Sequence, residues 1–407
     1  MSIILAIAIF FQASGQDDLE KLKKKVNELE TQVEKLMEEK LDQAETAPAK
    51  TESANAFNPS ITAFLNAAMR IDNHTVEAAG HDHGGGGTDP DLIDDRFWLR
   101  GAELDFRGSV DAYVDAVLLL GIHQESNGEF GIHPEEAYGI LKQIPILEAA
   151  PLGMKLKVGR YRAPLGTMNL LHQHDWAWTT APLAVSTYLG SEGGTFFESG
   201  FAMEGLGLMM QLPSFEGTSF DLELHAARAG KIAVTEEADD PSNPAGVGKL
   251  NFFTELGEGN DLSIGLSGYF EELGNRVIVA DFLYRWRPTG EFHSLVFGGE
   301  WHFVNRHITG EEKTSPNGGF LFLQYQLNWH VYLGARWDHV QGLEEVEEET
   351  DVYSAYVSYY TTEFFRMRLG YEHRASDHEE EDGLNSLFVE FNFVFGSHPA
   401  EPWWVNR

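Results

Sequence analysis

The sequence predicts an all-β protein: a transmembrane antiparallel β-barrel of about 16 strands, preceded by a short N-terminal coiled-coil helix. Three observations carry this reading. From about residue 60 onward, apolar and polar residues alternate with period 2. The alternating runs are mostly about ten residues long, the length of a tilted membrane strand. The links between runs alternate between short turns and long loops, as in a barrel with its turns on one side of a membrane and its loops on the other.

The elements follow in chain order. Residues 1–15, MSIILAIAIFFQASG, hold an apolar stretch from Ile3 to Phe11 and then Ala13-Ser14-Gly15. A small-x-small ending of this kind predicts an export signal cleaved after Gly15. Over residues 16–41, apolar side chains at Leu19, Leu22, Val26, Leu29, Val33 and Leu36 alternate spacings of three and four. That is a heptad seam, with Lys25 at g facing Glu30 at the following e, and it predicts a periplasmic coiled coil. The seam is short enough to need an assembly that is already oligomeric. The alternative for this segment is a lone solvated helix. Residues 42–57 are polar, rich in Ala, Thr and Ser, and without period, hence a linker.

The barrel is expected over residues 58–407, with runs beginning near 61, 97, 110, 135, 153, 199, 219, 248, 261, 276, 292, 318, 330, 352, 364 and 386. In LNSLFVEFNFVFG, for example, Leu387, Val389, Phe391, Phe393 and Phe395 alternate with Phe388, Glu390, Asn392 and Val394. Links after even runs are mostly short, such as RGS and GEGN. Those after odd runs are mostly long, at 72–96, 123–134, 164–198, 230–247, 307–317, 340–351 and 375–385, with ELGN the exception. An even number of strands puts both termini in the periplasm. Trp98, Trp286, Trp301, Trp329 and Trp337 fall near run ends, where interfacial girdles belong.

Composition narrows the function. With 29 Lys+Arg against 64 Asp+Glu, the net charge is −35. This excludes nucleic acid as a partner and suits a path that attracts cations. Cysteine is absent, which removes disulfides and thiolate chemistry. No Gly-x-Ser-x-Gly elbow and no His-Glu-x-x-His motif is present, so no enzyme is expected.

LKVGRYRAPLGTMNLLHQHDW, followed by TAPLAVSTYLGSEGGTFFESGFAMEGL, resembles the mid-barrel segment of the phosphate-selective porin (O/P-type) superfamily. It is similar especially to a branch of zinc-regulated outer-membrane receptor-like proteins. RGAELDFRG and PEEAYGIL resemble that branch's early strands, and FNFVFGSHPAEPWW its last strand and tail. The resemblance implies an outer-membrane porin of sixteen to eighteen strands, usually trimeric.

In such a barrel selectivity comes from inward side chains and a constricting loop. The period assigns inward acids at Glu103, Asp105, Asp111, Asp115, Asp221, Glu223, Asp281, Glu300, Asp338 and Glu390. It assigns inward bases at Arg107, Lys155, Lys157, Arg285, Arg336, Arg366 and Arg368. The bland reading is that many of these simply solvate the wall. By analogy with general porins, the third long loop, 164–198, can enter the lumen. There His172 and His174, two apart, can hold a divalent cation with Asp175. The alternative is loop packing inside the barrel. GHDHGGGGTDP, at 80–90, lies in the first long loop, where His81, Asp82 and His83 either capture a cation loosely or are slack chain. Acidic runs at 236–240, 344–351 and 377–382 sit in other long loops.

The expected function is an outer-membrane channel that passes small solutes and prefers cations. Its expected partners are outer-membrane lipid and copies of itself, as a trimer through residues 19–40 and the barrel wall. The only cofactor expected is a divalent cation, zinc or calcium, at the loops. Two other readings stay open: an outer-membrane zinc uptake or binding protein, and a structural tether of the envelope.

Overall fold

The computed structural model describes residues 59–74, 96–124, 130–144, 150–190, 200–228, 232, 244–272, 274–307, 312–343, 345–378 and 381–396. The expected signal segment, coiled coil and linker lie outside the described residues, as do His81, Asp82 and His83.

Sixteen strands form one sheet: β1 (Ser60–Asp72), β2 (Arg96–Ser109), β3 (Val114–Gln124), β4 (Phe130–Leu141), β5 (Lys155–Arg162), β6 (Ala202–Leu212), β7 (Thr218–Arg228) and β8 (Pro244–Glu255), then β9 (Asn260–Glu271), β10 (Arg276–Trp286), β11 (Ser294–Asn305), β12 (Asn317–Gln326), β13 (Val331–Gln341), β14 (Glu349–Thr362), β15 (Phe365–Ser376) and β16 (Leu384–Phe395). Each pairs antiparallel with its chain neighbours, and β1 pairs with β16, so the barrel closes without a free edge. The expected strand number holds. Three starts move by four or five residues: β3 begins at Val114 rather than 110, β4 at Phe130 rather than 135, and β8 at Pro244 rather than 248. The link after β4, residues 142–154, is longer than a tight turn.

Burial is inverted relative to a soluble globule. Along β16, Phe388, Glu390, Asn392 and Val394 are buried toward the lumen, while Leu387, Phe393 and Phe395 are exposed on the outside. Along β1 the buried set is Thr62, Phe64, Asn66, Ala68 and Arg70. Arginine and glutamate inside with leucine and phenylalanine outside is the arrangement hydrocarbon surroundings select. Trp301 and Trp337 lie toward the strand ends joined by long loops, their rings 6.2 Å apart. Trp329, in the β12–β13 turn, packs on Phe292 at the opposite end.

Three register shifts depart from strict alternation, and two of them re-aim a charge. Between β1 and β2 the register jumps from Asn66↔Gly101 to Ala67↔Leu99, leaving Arg100 without a Cα partner. Between β3 and β4 it jumps from Leu119↔Glu136 to Leu120↔Pro134, leaving Glu135 without one. Pro134 cannot donate to the ladder, so a bulge is one of the few places a strand tolerates it. The extra residue turns inward in both cases: Arg100 and Glu135 are 5% and 7% exposed.

Asp111 corrects one assignment. It sits in the β2–β3 turn, exposed, where its Oδ1 accepts the N–H groups of Tyr113 (2.7 Å) and Val114 (2.9 Å). This aspartate turn ends β2 and starts β3, so Asp111 does not line the lumen wall.

Candidate functional site

In the connection between β5 and β6, residues 163–190 fold into the barrel. From Ala163 to Leu189 nearly every residue is buried. Asn169 ties its base. The Asn169 Nδ2 donates to the carbonyls of Ala163 (2.6 Å) and Phe201 (3.0 Å), and its Oδ1 accepts the Phe201 N–H at 2.7 Å. Among its described residues the lobe so closed contains one α-helical segment, α1 (Leu183–Leu189). It meets the wall on several sides of the lumen.

Its first contact is with β8–β11. Glu300 Oε1 on β11 accepts the backbone N–H groups of Thr167 (2.5 Å) and Met168 (2.6 Å), and Asp281 on β10 accepts the Thr167 hydroxyl at 2.9 Å. Ser267 and Lys249 hold Gly166 through its N–H (2.8 Å) and carbonyl (2.6 Å). Gly166 has φ +65°, and a Cβ there would lie 2.4 Å from Glu300 Oε2. Only glycine lets the backbone come this near the carboxylate.

The second contact is an arginine wall on β2, β13 and β15. Arg366 and Arg368 donate to the Trp176 carbonyl at 3.2 and 2.7 Å. The same two arginines hold Glu390 at 2.9 and 2.8 Å. Glu390 also lies 3.8 Å from Arg100 and accepts from Asn66 at 3.0 Å. Arg100 donates to the Thr179 carbonyl. Arg336 donates to the Thr180 carbonyl at 2.8 Å while its Nε holds Asp338 at 2.6 Å. Two tryptophan rings lie against these cations: Trp176 at 5.7 Å from Arg100, and Trp178 at 5.0 Å from Arg336. Asp338 in turn accepts the Leu183 N–H at the start of α1, at 3.0 Å. At the other end of α1, Tyr188 places its hydroxyl between the carbonyls of Asn317 (2.8 Å) and Gln341 (2.9 Å).

The third contact is a histidine–carboxylate cluster against β2 and β4. His172 Nδ1 lies 2.9 Å from Glu135 and its Nε2 lies 3.4 Å from Glu136. His174 Nδ1 lies 2.8 Å from Glu103 and its Nε2 3.5 Å from Asp175. The two rings are parallel, with centroids 5.8 Å apart, and Phe64 stacks on His174 at 3.7 Å. Burial and nearby Arg162 oppose protonation of His172, but contact with Glu135 and Glu136 outweighs them and raises its pKa to about 10. Burial opposes protonation of His174 as well; Asp175 and then Glu103 prevail and raise it. One oxygen each from Glu103 and Glu135 and one nitrogen of His172 lie within 4.8 Å of one another.

The structure thus brings together most of the sequence-derived residues. Glu103, Asp105, Asp281, Glu300, Arg336, Asp338, Arg366, Arg368 and Glu390 are all buried on the inner face. Asp105 is held there by Arg107 at 2.7 Å. Asp115 lies at the turn end of β3, bonded to Ser109 and Lys142. Asp221 and Glu223 share the inward side of β7 with His225, which links Glu223 (3.1 Å) to Tyr161 (2.9 Å). His172 and His174 come together, although Gln173–Asp175 form a 3-10 turn rather than extended chain. Sequence reasoning missed Arg100, Glu135 and Glu136. Strict alternation back from Glu103 puts Arg100 outside, and it turns only one of two adjacent glutamates inward. Pro134 is the one local sign of the second bulge.

No family model matches this chain. It is 24% identical over 415 residues, covering 90% of its length and 84% of the other's, to an uncharacterized protein of Aquifex aeolicus. Among solved structures it is similar to three outer-membrane proteins. The anion-selective porin from Comamonas acidovorans matches with TM-score 0.53 at 11% identity, over 83% of this chain and 99% of that one. OmpF of Salmonella typhi matches with TM-score 0.52 at 12% identity, over 84% and 99%. A loop-deleted OmpT of Vibrio cholerae matches with TM-score 0.52 at 10% identity, over 84% and 100%. At these identities the likeness establishes the architecture: a closed barrel of the outer-membrane porin fold.

Proposed function

We propose that this chain is an outer-membrane channel of the porin type, passing small solutes with a preference for cations. The observation that carries the reading is the long β5–β6 loop, which runs through a 16-strand barrel and is bound to charged residues of both walls. A barrel of about this many strands has room for an aqueous lumen, and a loop inside it sets the aperture and the local field. Cation preference follows from the sorting of charge. On β13–β16 and β2 four arginines, Arg100, Arg336, Arg366 and Arg368, lie against Glu390, Asp338 and Glu372. Toward β4 and β10–β11 the wall carries Glu135, Glu136, Asp281 and Glu300. The carboxylates gathered there attract a cation even where the loop contacts them, while the guanidiniums opposite are met by carboxylates and loop carbonyls. The heptad seam at 19–36 suits a trimer with periplasmic termini.

Reconstitution into planar bilayers in a KCl gradient tests this. Discrete current steps with a reversal potential on the potassium side are expected; absence of current, or reversal on the chloride side, would overturn the reading.

A further inference from the structure

We infer that the cluster joining the loop to β2 and β4 is a binding site for a divalent transition-metal cation of the zinc class, with Glu103, Glu135 and His172 as ligands. The inference rests on the channel reading only for where the site lies, at the constricting loop.

Four observations support it. The ligand atoms already converge, within 4.8 Å of one another, and a tetrahedral ion with bonds of about 2.0–2.1 Å would set them about 3.3 Å apart. All three residues are buried, and they come from three separate places in the chain: a strand, a bulge and the loop. Glu103 Oε2 and His172 Nδ1 are both shielded from water and make no aligned hydrogen bond, so the close approaches around them are ion contacts. Once His172 gives up its ring proton to a bound metal, the two carboxylates carry a charge of −2, which one divalent ion cancels. An imidazole with two carboxylates suits zinc-class ions better than the all-oxygen sets preferred by calcium or magnesium.

The surroundings match what a metal-bound imidazole needs. With Nδ1 turned to the ion, His172 Nε2 faces Glu136 Oε2 at 3.4 Å. Glu136 is itself held by the Arg162 backbone N–H at 2.8 Å. A carboxylate behind a ligating histidine fixes its tautomer and ring orientation. Binding exchanges the ring proton of His172 for the metal and ties the loop to two strands.

Calorimetric titration of the detergent-solubilised full chain with zinc chloride tests the site. One tight site per chain is expected. Glu135→Gln, Glu103→Gln and His172→Gln should each weaken it at least tenfold, and Glu136→Gln about 10–100-fold. A His81→Ala/His83→Ala variant should keep it, which separates it from the histidines of the first long loop. X-ray absorption at the zinc edge should show nitrogen and oxygen neighbours with imidazole scattering. No heat with the wild-type chain, unchanged affinity in both Glu135→Gln and Glu103→Gln, or loss of the site with His81 and His83 would overturn the proposal. Using two glutamates on different strands guards against one variant failing to assemble. Conductance on the same preparations separates the two readings. Current without zinc heat removes only the metal site, and zinc heat without current removes only the channel.

Discussion

The loop meets its two walls in opposite chemical senses. Against the arginine wall it offers backbone carbonyls, at Trp176, Thr179, Thr180 and Ala181. Against the acidic wall it offers hydrogen-bond donors, the amides of Thr167 and Met168 and the Thr167 hydroxyl, and sets the rings of His172 and His174 in ion contact with glutamates. Lys249, which donates to the Gly166 carbonyl, and Asp338, which accepts the Leu183 N–H, run against this pattern. The difference teaches how a loop with few charges of its own can be held inside a polar lumen. The guanidiniums meet backbone carbonyls and carboxylates, and the carboxylates meet amides, a hydroxyl or imidazole rings, so the buried charges are compensated on both sides. It also divides the labour. The arginine wall has permanent charges and packed tryptophans, and it fixes the loop. The acidic wall includes imidazoles whose charge a proton or a metal can change.

The sharpest test of that division is Glu390→Ala. It strips the shared carboxylate from Arg366 and Arg368 and leaves buried guanidiniums facing each other. A loss of roughly 3–5 kcal/mol is expected in urea unfolding from lipid vesicles. A loss no larger than that of His172→Gln would show that the arginine wall is not the main fixing. Next comes Gly166→Ala, which places a methyl group against Glu300 and forces a residue with φ +65°. The amides of Thr167 and Met168 should lose their charged acceptor, at about 1.5–3 kcal/mol, and single-channel conductance should rise as that end of the loop loosens. Unchanged conductance would place the aperture elsewhere.

Smaller effects refine the electrostatics. Asp281→Asn keeps the shape of the acceptor of the Thr167 hydroxyl but removes a charge. The cation-to-anion permeability ratio should fall a few-fold at most, since one charge screened by water acts at about 1 kcal/mol. A rise in that ratio would contradict the assignment of the acidic wall as the cation path. The smallest effect belongs to Asp111→Ala. Outside the lumen, it should leave the reversal potential alone and cost stability only by the loss of a turn bond, about 0.5–1 kcal/mol. A shift in selectivity would return Asp111 to the pore.

Sequence alone determined an antiparallel barrel of about sixteen strands and, away from the bulges, which face of its alternating runs turns inward. A period of 2 is local: once Glu390 or Arg368 is placed inward, its neighbours two residues away follow. The long β5–β6 connection and its two histidines were legible for the same reason, as a break in the alternation. Tertiary structure decided what local period does not encode. Whether the loop enters the lumen depends on acceptors hundreds of residues away, such as Glu300 for Thr167 and Arg368 for Trp176. The inward turns of Arg100 and Glu135 depend on bulges, which exist only once a partner strand sets the register against which an extra residue is counted. The third ligand of the proposed metal site therefore comes from a residue whose direction is defined by pairing.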